Sequence, residues 1–173
     1  MTRPSPTPSS PLVFESVSEE DTEQLATAFA AIVRSGDVVA LDGPLGAGKT
    51  RFVRGLAAAL GSVKAFVGSP TFGLVQHYDG ELPIVHIDAY RLKDTDEFER
   101  MGGRELFEPE AVTLVEWSDR IAGSLPADRW EIRAEHVSEA SRRYCIDSTH
   151  SDGVGRLVQL RERLRAVSGE REA

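Results

Sequence analysis

Gly43-Pro44-Leu45-Gly46-Ala47-Gly48-Lys49-Thr50 decides the fold of this 173-residue chain. It matches G-x-x-x-x-G-K-[ST], a phosphate-binding loop between a strand and a helix. Gly46 and Gly48 allow a tight turn that brings backbone N–H groups, those around Ala47 included, close to phosphate oxygens. The Lys49 ammonium is a mobile point charge able to reach β- and γ-phosphates. The Thr50 hydroxyl is a hard oxygen ligand suited to Mg²⁺. Upstream, Asp37-Val38-Val39-Ala40-Leu41-Asp42 is an apolar run that predicts a buried strand. Downstream, Phe52, Val53, Leu56, Ala57 and Leu60 recur at helical spacing, and Gly61 fits the residue beyond the helix end. The helix N-terminus adds its own positive end to the phosphate site.

The length suits one α/β domain with a sizeable core. The net charge of −8 and a pI near 5.1 argue against sequence-independent binding of DNA or RNA, which needs basic surface. Cys145 is the only cysteine, so an intrachain disulfide is excluded; within Tyr144-Cys145-Ile146 it reads as a small core residue. No apolar run approaches the ~18 residues of a membrane span. Residues 1–11 are rich in Pro, Ser and Thr and lack the apolar segment of a signal peptide. They read as a disordered tail, 12–168 as the domain and 169–173 as a frayed end. The expected location is cytoplasmic.

Residues 12–16 predict a strand, and Ser18-Glu19-Glu20-Asp21 opens a helix with Leu25, Ala28, Phe29, Ile32 and Val33 on one face. Residues 63–67 form a linker or short strand, and Ser69-Pro70-Thr71-Phe72 a loop. Residues 74–78 and 84–88 predict a hairpin turning near Asp79-Gly80, which makes the central sheet mixed. A short helix lies within 93–104 before the Gly102-Gly103 turn, a buried strand spans 111–117, and a short helix begins near Ser118. Residues 130–134 and 144–147 predict a terminal antiparallel pair. Leu157, Leu160, Leu164 and Val167 line one face of a last helix, which either packs on the domain, the favoured reading, or offers that face to a partner.

A P-loop needs a carboxylate near Mg²⁺, usually at the end of a neighbouring strand. Ile84-Val85-His86-Ile87-Asp88 and Val112-Thr113-Leu114-Val115-Glu116 both end in one. Each acid is a candidate ligand, or a cap for the helix that follows. His86 reads as a histidine satisfied within the sheet rather than a general base. Thr71 stands where P-loop switches sense the γ-phosphate. Trp117 either stacks near a nucleotide base or fills core. His77, His136 and His150 have no ligand spacing with Cys145, which argues against a transition-metal site.

The P-loop, Ser69-Pro70-Thr71-Phe72, His86-Ile87-Asp88-Ala89-Tyr90-Arg91-Leu92 and Val115-Glu116-Trp117-Ser118 occur in that order. Together they resemble the TsaE (YjeE-type) family of small bacterial P-loop ATPases, over about residues 14–143. The resemblance implies a P-loop NTPase-type three-layer domain with antiparallel strands in its sheet. It also implies ATP and Mg²⁺ as cofactors, and a role in making threonylcarbamoyladenosine in tRNA. The partners implied are the TsaB–TsaD pair, with tRNA reached only through the complex and ATP hydrolysis needed for repeated turnover. By position, Lys49 would bind phosphate, Thr50 and Glu116 would bind Mg²⁺, and Asp88 would be the Walker B-type acid, a metal ligand or a catalytic group. Thr71 would sit in the switch-like loop, Trp117 near the nucleotide, Thr22 near the adenine, and Arg143 (with Arg142 nearly as good a match) at a C-terminal ATP contact. Pro44 departs from the family, which more often has an acidic residue there; it cannot donate an N–H to phosphate. A small P-loop kinase acting on a metabolite is the competing reading, disfavoured because no arginine-rich lid segment follows the acid-ending strands. A GTPase is disfavoured because no [NT]-K-x-D motif is present.

Overall fold

The computed structural model describes residues 10–62 and 74–170. The expected strand or linker at 63–67 and the loop carrying Thr71 lie outside the described residues.

Seven strands form one sheet in the order β1-β7-β6-β2-β5-β4-β3. They are β1 (Leu12–Ser16), β2 (Val38–Asp42), β3 (Val75–Tyr78), β4 (Ile84–Asp88), β5 (Val112–Glu116), β6 (Trp130–His136) and β7 (Arg142–Ser148). The four central strands β6, β2, β5 and β4 are parallel, and β1, β7 and β3 pair antiparallel with their neighbours. This is the mixed sheet the hairpin called for. Parallel centre and apolar composition go together: β5 is buried at every position and β2 and β4 at all but the last, as strands covered on both faces must be.

Helices α1 (Glu19–Ala30), α2 (Lys49–Ala59) and α4 (Gly153–Glu170) cover one face. Phe29, at the centre of that layer, meets Phe52 and Trp130 edge-on at 5.6 and 5.2 Å between ring centroids. Leu157, Leu160 and Leu164 of α4 are buried in the same core, so its apolar stripe packs on the domain. The other face is a thinner layer of α3 (Thr95–Arg100) and 3₁₀ turns, closed by Phe98, Leu92 and Ile121 over Val85, Ile87 and Val115.

Two local features set the position of the site. Helix α1 starts at Ser18, whose hydroxyl accepts the Asp21 N–H at 3.1 Å while Asp21 accepts the Val17 N–H at 2.9 Å, a reciprocal cap. The other is the placement of β6 beside the P-loop strand. The expected antiparallel pair of β6 and β7 is present, and β6 also pairs parallel with β2 from Val39↔Trp130 to Asp42↔Arg133, which places it inside the sheet. Period-2 alternation identifies strands and not their neighbours, so nothing local announced this. Its consequence is visible at Gly43 (φ 143°), where a Cβ would run into the Ala134 carbonyl. Cys145 also differs from expectation. It is half-buried on the opposite face of β7 from Tyr144 and Ile146, which fill the core. Among the described residues, no helix is long and apolar enough to cross a membrane.

Candidate functional site

The carboxyl ends of β2, β4 and β5 converge on the start of α2, and a cleft of about 760 Å³ opens there. Open α/β sheets place ligands at this edge. The floor is the P-loop. Helix α2 begins straight after Gly48 (φ 99°) with no side chain capping it, so its first-turn N–H groups are left for an anion. Gly48 is also forced by contact: a Cβ there would strike the Tyr144 hydroxyl. Ala47 is buried, and its N–H donates to the Pro44 carbonyl at 3.1 Å, so among the loop residues it is Leu45, Gly46, Gly48, Lys49 and Thr50 that line the cleft.

Lys49 is buried, and its ammonium donates to the Gly43 and Pro44 carbonyls at 2.7 and 3.0 Å. It also lies 4.0 Å from the centroid of the Trp117 ring. Burial lowers its pKa below that of an ordinary lysine; the carboxylates of Glu116, Asp88, Asp42 and Asp119 act in the opposite direction. A desolvated cation held only by carbonyls and a ring face is poised for an anionic oxygen.

Thr50 donates its hydroxyl to Glu116, 3.0 Å from Oε1 and 3.2 Å from Oε2. Glu116 is buried, and its second contact is His86 Nε2 at 3.0 Å. Asp88 pairs with Glu116 across β4 and β5, so the two acids stand side by side at the sheet edge. Asp88 accepts the Tyr90 N–H at 3.0 Å, capping the turn that follows β4, and lines the cleft. Asp88 thus takes the capping role while also lining the cleft. A hydroxyl and an inward carboxylate in contact form the donor pair that a P-loop Mg²⁺ uses, the ion keeping waters and phosphate oxygens for its other positions. Among the described residues, no cluster of three or more His, Cys, Asp or Glu could hold a metal on its own.

Trp117 has a left-handed backbone (φ 58°, ψ 45°), the sole non-glycine residue so placed among those described. Such strain persists where surrounding structure imposes it, often at functional sites. Here the Trp117 N–H bonds the Leu41 carbonyl at 3.1 Å, and the ring packs on Tyr90 at 4.9 Å between centroids. Trp117 therefore belongs to the cleft wall. Ligand entry should change its emission by tens of per cent, because Lys49 must leave its ring. Trp130 is buried in the core against Phe29 and stays a constant background. Titrating nucleotide into the parent chain and into Trp117→Phe checks this; a response surviving the substitution would place the reporter elsewhere.

Thr22 lines the cleft from α1 and is buried, 2.7 Å from the Ser16 hydroxyl and 3.4 Å from that of Tyr144, which donates to the Gly48 carbonyl at 3.3 Å. This hydroxyl chain ties α1 and β7 to the P-loop. Arg143 requires correction. It turns away from the cleft and pairs with Glu15 at 2.7 Å, while Arg142 lines the cleft and donates to the Gly46 carbonyl at 3.2 Å. One residue along a strand reverses the face, and Arg142 shares its face with Tyr144. Tyr144, Ser16, Tyr90 and Leu45 also line the site and were missed. The partners of Tyr144 lie far away in the chain, those of Ser16 are the nearby Ser18 and Thr22, and Tyr90 and Leu45 sit inside quoted motifs.

The model of the family "Threonylcarbamoyl adenosine biosynthesis protein TsaE" matches residues 16–144. The chain is 41% identical to a Bacillus subtilis protein named tRNA threonylcarbamoyladenosine biosynthesis protein TsaE, over 76% of this chain and 82% of that one. It is 44% identical to the Aquifex aeolicus protein of the same name, over 60% and 74%. The crystal structure of Bacillus subtilis YdiB superposes with a TM-score of 0.74 at 32% identity, covering 88% of this chain and 95% of that one. The matched span begins at the buried hydroxyl of Ser16 and ends at the tyrosine that braces the P-loop, so the chain belongs to the TsaE family of threonylcarbamoyl adenosine biosynthesis proteins.

Proposed function

We propose that this member of the family is a Mg²⁺-dependent ATPase that acts in the cytoplasm with the TsaB–TsaD pair. The observation that carries the reading is the buried Lys49–Thr50–Glu116 arrangement at an uncapped helix start, opening into a cleft of nucleotide size. In this reading ATP is the substrate. Lys49 exchanges two carbonyls for phosphate oxygens, and the first turn of α2 donates its N–H groups to the same anion. Thr50 and Glu116 hold Mg²⁺, which when bound offsets the charge on the phosphate oxygens. Asp88 orients the attacking water at the sheet edge. Thr22, Trp117 and Arg142 border the rest of the nucleotide. Thr71 remains the proposed sensor of the γ-phosphate.

The acidic composition supports an accessory role. A chain of net charge −8 is poorly suited to hold tRNA by itself, so the nucleic acid is met through partners. A loop can alter a partner's affinity only if its contacts differ with and without the γ-phosphate. The expected result is co-elution with TsaB–TsaD in ATP, weaker association in ADP, and faster phosphate release in the mixture than alone. Gel filtration with each nucleotide, run beside a phosphate assay, tests it. No co-elution in any nucleotide, with identical turnover alone and mixed, would sink the proposal.

A further inference from the structure

We propose that His86, locked by Tyr78, is the positioning residue that aims the Glu116 carboxylate at Thr50 and so sets the Mg²⁺ affinity of the site. This rests on the Mg²⁺ role proposed above for Glu116. Gln76, Tyr78, His86 and Glu116 share one face of the sheet: Gln76 lies opposite His86 across β3 and β4, and His86 lies opposite Leu114, two residues before Glu116. The contacts run in one line. Gln76 lies 2.5 Å from the Tyr78 hydroxyl, which lies 3.3 Å from His86 Nδ1; His86 Nε2 lies 3.0 Å from Glu116 Oε1, and Glu116 accepts the Thr50 hydroxyl. His86 is fully buried and Glu116 is 2% exposed.

Burial makes this line matter. A carboxylate removed from water needs donors, and Glu116 has two: Thr50 and His86. The Thr50 hydroxyl can offer a lone pair to a metal while it donates to Glu116, and His86 is the donor that holds the carboxylate from the other side. As an anion Glu116 only accepts, so Nε2 donates to it, and Nδ1 faces the Tyr78 hydroxyl. Tyr78 in turn donates its hydroxyl to Gln76 Oε1. Burial and the nearby Glu116 charge push the Tyr78 phenol up to about 12, so it stays a donor at neutral pH. With both ring nitrogens engaged, the imidazole cannot turn over, and it holds Glu116 Oε1 in place while both carboxylate oxygens stay within reach of the Thr50 hydroxyl. Groups that orient a metal-binding residue in this way typically contribute about 10- to 100-fold to metal affinity.

The test is Mg²⁺ titration of ADP binding by calorimetry, with metal-free ADP binding measured alongside. His86→Ala should raise the Mg²⁺ midpoint about ten-fold or more while metal-free affinity stays within about two-fold. His86→Gln, which can return an N–H near Nε2, should recover much of the loss. Tyr78→Phe keeps the ring packing and removes the lock, so a rise of about two- to five-fold is expected; it carries the test if His86→Ala does not fold. A purely structural role would lower Tm and weaken both titrations equally. That result, or an unchanged midpoint in folded His86→Ala and Tyr78→Phe, overturns the inference. Glu116→Gln run in parallel separates the two readings. If it leaves the midpoint unchanged, the Mg²⁺ role of Glu116 falls and this inference falls with it. If it shifts the midpoint and the His86 and Tyr78 variants do not, this inference alone falls.

Discussion

Lys49→Ala should lose roughly 10- to 150-fold in ATP affinity or in transition-state stabilisation while its Tm stays within a few degrees of the parent. The functional side follows from chemistry. A charge-assisted contact to phosphate contributes about 1.5–3 kcal/mol, and each factor of ten is about 1.4 kcal/mol. The stability side follows from where the ammonium sits. Its partners, the Gly43 and Pro44 carbonyls, lie on residues that reach solvent, so water can replace it. Its burial is itself unfavourable, as the lowered pKa attests. Removing it relieves that cost and frees the Trp117 ring. Calorimetric ATP binding beside a thermal melt checks both halves. Loss of binding together with a large drop in Tm would mean that Lys49 is structural; unchanged binding in a folded variant would refute the P-loop assignment.

Much of the fold was legible because the signals that specify it are local. The P-loop names its own strand and helix, Asp79-Gly80 names a hairpin, and the apolar runs ending in Asp88 and Glu116 name two buried strands. These three readings alone require a mixed sheet. The two acids at the sheet edge were legible for the same reason, since each ends an apolar run beside the P-loop strand. Tertiary pairing was not legible. The place of β6 next to β2 depends on a contact across about 90 residues, and alternation is silent on it. The choice between Arg142 and Arg143 depends on the register of β7, which a one-residue slip inverts. The brace from Tyr144 to Gly48 joins residues 96 apart. Trp117 carries no sequence mark of its left-handed backbone, because the usual mark is glycine. His86 was read as satisfied within the sheet, and its partner there is Glu116, a contact between two strands that no local pattern announces.

Arg156→Ala should lower Tm by roughly 6–20 °C, although Arg156 lies outside the cleft lining. Its guanidinium is buried, donates to the Ile32 carbonyl at 3.0 and 2.7 Å from Nε and Nη2, and forms a bidentate pair with the buried Asp37. Asp37 also accepts the Trp130 indole N–H at 3.1 Å and the Arg34 N–H at 2.9 Å. The guanidinium stacks 4.8 Å from the Trp130 ring centroid. One side chain thus joins α4, the end of α1, the start of β2 and β6. Truncating it strands the Asp37 carboxylate and the Ile32 carbonyl in a dry core, a loss of about 3–5 kcal/mol. For a chain of this size each kcal/mol shifts Tm by about 2–4 °C. Arg156→Lys should recover little, because an ammonium cannot fork to a carboxylate and a carbonyl while lying flat on an indole. Asp37→Leu combined with Arg156→Met removes both charges but leaves the Trp130 indole N–H, the Arg34 N–H and the Ile32 carbonyl without these partners, so it should recover only part of the loss. Thermal melts of the three variants against the parent decide it, and an Arg156→Ala melt within 3 °C of the parent would refute the account. The link to function runs along β2. Its first residue follows Asp37 and its last precedes Gly43, so this knot anchors the strand that delivers the P-loop. Nucleotide affinity of Arg156→Ala should stay within a few-fold of the parent well below its Tm and fall away with the fold on warming.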